Sequence, residues 1–404
     1  MKERGRIIIV TLSTGLTFLV LIGALLGQNN RSDEPYKPLS VLSEVLSRIQ
    51  TDYVEDPAFG DVTEGALHGL VESLDPYNSY LSPQEYQDYL KGPRGEASVG
   101  AVIFKRGGLA GTGIMAVVPG GPASKAGFVP GDIIEAIDGR NTQSMSYEEV
   151  ISSLEGPSGS VVTLTMVREQ DLDPAPYDLT REVIRLPESE ARILEPGIGY
   201  LKVFALPDGE AQKIAGKINN LRALGASKIV LDLRENAIGD LEEGVEASNL
   251  FIRSGLLSYV EGQQYPRESF VAQESKFVAD EPLAVLVNES TAGAAEVLAA
   301  AIIDNHRGEV VGSRTFGKGS VQKTIPLDDG SALILSVAKY YSPAGKKIQE
   351  SGITPTEVVL VDRGAPTEEG EQPSRAVPPA PEDDTQLQRA IEMLKASDTL
   401  PEAA

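Results

Sequence analysis

Two short runs hold most of the groups in this chain that could do covalent chemistry. The first, Asn288-Glu-Ser-Thr-Ala-Gly-Ala-Ala-Glu296, follows the apolar run Leu283–Val287 and leads into alanine-rich sequence. That is the pattern of a strand, a turn and a helix. It carries two hydroxyls, Ser290 and Thr291. The second, Thr315-Phe-Gly-Lys-Gly-Ser-Val-Gln322, places Lys318 in a glycine-rich turn. A hydroxyl and a lysine together perform acyl transfer when the amine is neutral and takes the hydroxyl proton. Lysine titrates near ~10.4 in water, so such a site must desolvate it. A helix N-terminus beside the hydroxyl adds partial positive charge that steadies a developing anion. Cysteine is absent, which removes thiol nucleophiles, Cys metal sites and disulfides. The only histidines, His68 and His306, join no cluster that would make a Ser-His-Asp triad, and packing or surface roles are expected for both. The carboxylates follow no metal-ligand spacing, so neither a metal nor another cofactor is expected.

Taken together, the two runs resemble the active-site signature of the C-terminal processing peptidases (peptidase family S41), serine proteases that use a Ser-Lys dyad. The family's first segment reads much like S-A-S-A-S-E, with the middle serine as nucleophile. Aligned on Glu296, that position is Gly293, and Lys318 lies at the family's spacing of 318 − 293 = 25 residues. The resemblance implies that Lys318 is the general base and that Gln322 orients it. It also implies an oxyanion region at Gly239 and Ala294. The family's x-N-P-G-G loop reads Glu235-Asn-Ala-Ile-Gly239 here, with Ala237 and Ile238 replacing Pro-Gly. A β-branched residue resists the φ > 0 conformations open to glycine, and loss of one oxyanion donor typically costs ~100- to 1,000-fold in rate. Glycine at 293 cannot form an acyl-enzyme. Ser290 and Thr291 precede it by three and two residues, and a misplacement of ~1 Å can cost about 100-fold. Thr291 is also a natural N-cap for the helix.

The elements that must position these groups alternate in kind along the chain. Met1–Arg6 is basic, and Ile7 to Gly27 runs without a charge. That length suits a membrane-spanning helix, residues 1–28 forming a signal anchor that leaves the bulk of the chain outside the cytoplasm, on the periplasmic or cell-surface side; a long cleaved signal peptide is the alternative. Residues 29–94 read as a helical segment, with apolar residues at helical spacing from Leu39 to Tyr53 and again from Gly65 to Leu74. The turn-rich Leu74-Asp-Pro-Tyr-Asn-Ser-Tyr-Leu-Ser-Pro83 resembles the family's L-D-P-H-S-S-Y-L-S-P.

Residues 95–171 change to short β-branched runs, at Val99–Phe104, Gly113–Val118, Asp132–Ile137 and Val161–Val167. With Gly121-Pro-Ala-Ser-Lys-Ala-Gly127 and Val129-Pro-Gly-Asp132 they resemble a PDZ domain, which binds an extended C-terminus as an added strand. The resemblance places the carboxylate-capturing loop at Ser98, Val99, Gly100 and Ala101, with Ile103 next along the strand. Residues 172–362 read as an α/β core with buried strands at Ile198–Val203, Lys228–Leu233 and Leu283–Val287. Helices are expected near Glu210–Ala223, Leu241–Ser254 and Ala292–Asp304. Within residues 363–404, Arg363–Asp384 is a Pro-rich acidic linker and Thr385–Lys395 a short amphipathic helix.

A formal charge of −23 excludes nucleic-acid binding, which needs clustered cations. The fold class is therefore α/β multi-domain: anchor, helical lead-in, PDZ module and S41-type core. The expected function is capture of unstructured C-termini of exported or membrane proteins, with cutting impaired at Gly293. An active endopeptidase with a non-standard nucleophile is the alternative, and a scaffold with a drifted PDZ module a third reading. Self-association or pairing with an active paralogue is compatible with all three.

Overall fold

The computed structural model describes residues 37–106, 111–168, 171–360 and 383–396. The apolar stretch 7–27 and residues 363–382 of the acidic linker lie outside the described residues. Among the described residues no helix is long and apolar enough to cross a membrane. The chain divides into two compact units, residues 1–67 and 68–404. In the first, helix α1 (Lys37–Asp52) has apolar residues at helical spacing, and Leu39, Val41, Leu42 and Val45 on it are exposed. Helix α2 (Phe59–Glu72) follows.

The second unit begins with a connector that carries strand β1 (Ser79–Leu81) and helix α3 (Pro83–Leu90). Proline opens α3, and the Ser82 N–H and hydroxyl both donate to Glu85 at 2.8 Å, closing its N-terminus. The β-rich module then runs β2 (Ala101–Phe104), β3 (Thr112–Val117), α4 (Pro122–Lys125), β4 (Ile133–Ile137), β5 (Arg140–Asn141), α5 (Tyr147–Leu154), β6 (Val161–Arg168) and β7 (Asp171–Thr180). Its sheet has the order β2-β3-β4-β6-β7, with β5 beside β4. Strand alternation turns Val162, Leu164 and Met166 of β6 into a core shared with Ile103, Ile114, Ile134 and Val150. Strand β7 carries the sheet on past residue 172. Pro174 and Pro176 fit it because β7 ends the sheet order, where a missing N–H costs little.

The core region contributes β8 (Glu190–Glu195), β9 (Ile198–Lys202), α6 (Glu210–Ala223), β10 (Lys228–Asp232), α7 (Leu241–Asn249), β11 (Leu256–Glu261), β12 (Glu268–Val271), β13 (Leu283–Val287), α8 (Ala294–Asp304), β14 (Glu309–Gly312), β15 (Ser320–Pro326), β16 (Ala332–Tyr341), β17 (Glu357–Val358) and α9 (Thr385–Ala396). Strands β17-β14-β13-β10-β9 are parallel, with β8 antiparallel at the edge. One face of this sheet joins α6, α7 and α8 in the largest core. The other face supplies Ile198, Val230 and Leu286 to a second core closed by Leu387, Ile391 and Leu394 of α9. Burial on both faces explains why the interior of β10 (Ile229, Val230, Leu231) and all of β13 are apolar. A further antiparallel sheet, β1-β16-β11-β12 with β15 on β16, ties the connector to the core.

Candidate functional site

Strand β13 stops at Val287 because the next five residues spend their polar groups on a turn. The Asn288 side-chain oxygen accepts from the Glu235 N–H at 3.0 Å and the Ser290 N–H at 3.2 Å. The Thr291 hydroxyl accepts from the Asn288 N–H at 3.0 Å and donates to the Leu233 carbonyl at 2.9 Å. Thr291 is thus the brace of the turn rather than the helix N-cap expected for it. The cap residue of α8 is Gly293, two residues later. The difference is physical: the strand-to-helix turn needs Thr291's hydroxyl facing backward, toward β10. Ala292 N–H donates to the Asn236 carbonyl at 2.8 Å, fastening the turn to the loop after β10.

Gly293 has φ 63° and ψ −120°, a conformation that L side chains rarely adopt. A β-carbon built there would meet nothing within 4 Å. Its N–H donates to Glu296 at 3.0 Å. The Glu296 carboxylate, fully buried, also accepts from the Gly317 and Lys318 N–H groups, both at 2.7 Å, and from the Thr315 hydroxyl. One carboxylate therefore joins the start of α8 to the lysine loop. Burial pushes Glu296 up to about 7, against the pull of those four donors. The far side of the loop is held by Gln349, which accepts from the Gly319 N–H at 2.8 Å, and by Ile353, whose carbonyl takes the Thr315 N–H at 3.0 Å.

Lys318 is half-buried, its ammonium 5.9 Å from the centroid of the Tyr77 ring. Gln322 is exposed on β15 and its Nε2 donates to the Tyr77 carbonyl at 2.5 Å. Glu148, in the first turn of α5, also senses the lysine. Burial and then Glu155 raise its carboxyl above the usual range, and the Lys318 charge opposes them. Burial, followed by Tyr147 and Glu296, raises the Tyr77 phenol far above its ordinary value. Sequence reasoning passed over Tyr77, Tyr147 and Glu148, since no local signal marks contacts between segments 70 to 245 residues apart.

Of the other expected site residues, Ala294 opens α8, where a helix N–H has no partner from its own turn. Gly239 (φ 145°) lies against Leu206, whose carbonyl oxygen would be 2.2 Å from a β-carbon. It is the Asn236–Ala237 part of the loop that reaches the Gly293 turn. Ala237 and Ala292 pack with Met115 and Ala116 of β3, and Phe104 stacks edge-on with Phe316 at 5.2 Å. A cavity of about 400 Å³ opens at this junction, with Arg106, Met115, Ser290, Arg314 and Phe316 among its walls. Below the loop, Asp232 accepts from Tyr200, Lys202 and Arg234. Burial alone would raise its carboxyl, but the two cations hold it well below the usual range. Arg234 reaches on to Asp384, just before α9, at 2.7 and 2.9 Å. His68 packs edge-on against Tyr80 at 5.5 Å.

In the β-rich module, β2 ends the sheet order, so its outer edge has no strand partner among the described residues. Ile103 turns its side chain into the module core, while Val102 and Phe104 face Ala237 and Phe316. Ser98 is locked to Glu182 through both backbone groups, at 3.0 and 3.1 Å, and Gly100 (φ 72°) donates its N–H to the Ser98 hydroxyl at 3.0 Å. The turn before β2 is thereby preset, and an open edge follows it, the geometry that strand addition requires.

An open-edged β module abutting a strand–turn–helix site and a buried lysine loop defines a PDZ-bearing protease architecture. Known proteins agree. A peptidase family S41 model matches residues 197–359 and a PDZ domain model residues 113–168. A carboxyl-terminal-processing protease of a Synechocystis species is 35% identical over 318 residues, covering 77% of this chain and 74% of that protein. A carboxy-terminal-processing protease of Bartonella bacilliformis is 29% identical over 400 residues, 92% of this chain and 91% of that one. Among solved structures, a photosystem II D1 C-terminal processing protease superposes with a TM-score of 0.66 at 28% identity, covering 78% of this chain and 92% of that one. The chain belongs to the C-terminal processing protease family.

Proposed function

We propose that this protein grips the C-terminal ends of unstructured polypeptides along the open edge of β2 and does not cleave them through an acyl-enzyme at residue 293. The observation that carries this reading is the state of position 293. Its backbone stands in a turn suited to an exposed nucleophile, the space a side chain would fill is open, and the residue is glycine. The lysine loop that carries Lys318 is tied to it through Glu296, and Ala294 at the helix start is the expected oxyanion donor. Residues 7–27 would anchor the protein and leave its bulk outside the cytoplasm, so the captured chains are exported or membrane proteins.

One observation favours a second reading, an active endopeptidase. Ser290 lines the junction cavity, whereas the Thr291 hydroxyl is committed to Leu233 and Asn288. A fluorophosphonate probe separates the two. The first reading expects no labelling of the native protein and Lys318-dependent labelling of Gly293→Ser. Labelling of the native protein that disappears in Ser290→Ala and Lys318→Ala would establish the second reading and end the first.

A further inference from the structure

We propose that Tyr77 is a positioning residue that ties Lys318 and Gln322 to the first turn of helix α5, so that displacement of that turn is passed to the amine. The role rests on reading Lys318 as the site's lysine. Three contacts converge on this one residue. Its carbonyl accepts from Gln322 Nε2 at 2.5 Å. A carbonyl can only accept, so this bond fixes which way the Gln322 amide faces and leaves Oε1 as the atom available to a cation. Its ring lies 5.9 Å from the Lys318 ammonium, within the range of a cation–π contact. The same ring packs edge-on against Tyr147, the first residue of α5, with centroids 5.2 Å apart.

Tyr77 is itself held firmly. Only 4% of its surface is exposed, and its N–H donates to the Asp75 carboxylate at 3.0 Å. The adjoining Asn78 oxygen accepts from the Ser336 N–H of β16 at 2.6 Å, opposite the strand that carries Gln322. The turn 75–78 is thus anchored to the core, while its aromatic ring belongs to the core of the β-rich module. Glu148 follows Tyr147 and shares the electrostatic field of Lys318, so the first turn of α5 meets the lysine through an aromatic and a charged residue in succession.

The test reads Lys318 directly and does not depend on cleavage. The full-length chain is treated with an amine-acylating ester, and labelling of each lysine is followed by peptide mass. A cation–π contact of this kind changes exposure of the amine by about two- to fivefold. Tyr77→Phe should label Lys318 at the native rate, because carbonyl and ring face are kept. Tyr77→Leu, which fills the space without a π face, should raise Lys318 labelling about two- to fivefold while Lys202 and Lys339 stay unchanged. Tyr147→Leu should give a rise of the same order, and the double variant should not exceed the larger single effect. Native-rate labelling in Tyr77→Leu would reduce Tyr77 to packing, and native-rate labelling in Tyr147→Leu would remove the link to α5. Either result overturns the proposal. Failure of the fluorophosphonate experiment would leave these rates untouched, so the two readings fail separately.

Discussion

Gly293→Ser, which supplies the hydroxyl that the proposed reading finds absent, is the most informative single perturbation. Space is no obstacle, since a β-carbon at 293 meets nothing within 4 Å. Conformation is the obstacle, because φ 63° and ψ −120° lie where a residue with a side chain is strained. Strain of this kind costs about 1–3 kcal/mol. Spread over a unit of this size, that lowers the unfolding midpoint by about 1–4 °C. The turn cannot relax cheaply: Ala292 is bonded to Asn236, Gly293 to Glu296 and Thr291 to Leu233. The expected result is a folded, modestly destabilised protein that now reacts with a fluorophosphonate, and only while Lys318 is present. Calorimetry and labelling are read on the same samples. A neutral or stabilising Gly293→Ser would mean that the positive φ is not enforced. A destabilised variant that still fails to label would mean that the turn is right but Lys318 or the oxyanion donors are not where acyl transfer needs them.

Other expectations follow from the same contacts. The folded-state value of Glu296 lies near 7, above its ordinary 4.5, so the folded state binds the extra proton; stability should fall as pH rises between those two values and level off beyond, and Glu296→Gln should flatten that slope in melts run across pH. Gly239→Ala should be among the most damaging small changes, by several kcal/mol in chemical denaturation, since the new methyl would press on the Leu206 carbonyl at 2.2 Å. Asp384→Ala leaves Arg234 with only Asp232 and Gln386 and removes the acceptor for the Leu387 N–H at the start of α9; a loss of about 2–4 kcal/mol is expected, with hydrogen exchange rising first in α9 and the loop after β10. Ala237→Gly withdraws a methyl from the contact with Met115 and Ala116, and should cost about 1 kcal/mol while loosening β3 from the core.

Much of this architecture is legible because the sequence meets a simple demand locally. Strand β13 and the interior of β10 are buried on both faces and read as short apolar runs; α8 and α9 show helical spacing, and the turns around Gly121 and Gly139 carry their own chemistry. What escapes is what distant segments decide together. Strand β15, Ser-Val-Gln-Lys-Thr-Ile-Pro, is too polar to announce itself and exists because β16 pairs with it. The amphipathic character of α9 is plain, but not that it covers the bare face of the parallel sheet or that Asp384 grips Arg234. In the site, the spacing of Lys318 and the motif around Glu296 were readable. The use of Thr291 as a brace and of Tyr77 as a neighbour of the lysine depends on contacts to Leu233 and Tyr147 that no periodicity encodes.

On the proposed reading, the departures at 293 and in the loop after β10 have a common physical direction. At 293 the backbone holds a conformation that would strain serine, and glycine removes the hydroxyl and that strain together. In the loop after β10, Glu235 (φ 61°) and Gly239 (φ 145°) take positive φ, while Ala237 and Ile238 stay out of that region. The expected conflict between a β-branched residue and a glycine-like turn is thereby avoided, because the sharp turn falls two residues earlier. Ala237 uses its side chain to pack against β3 of the PDZ module. On the proposed reading, glycine at 293 lowers strain and Ala237 adds apolar contact, the direction expected of a site that is not selected for rate. The bonds from the lysine loop to Glu296 and from Gln322 to Tyr77 hold α8, β15 and the connector together whatever residue stands at 293.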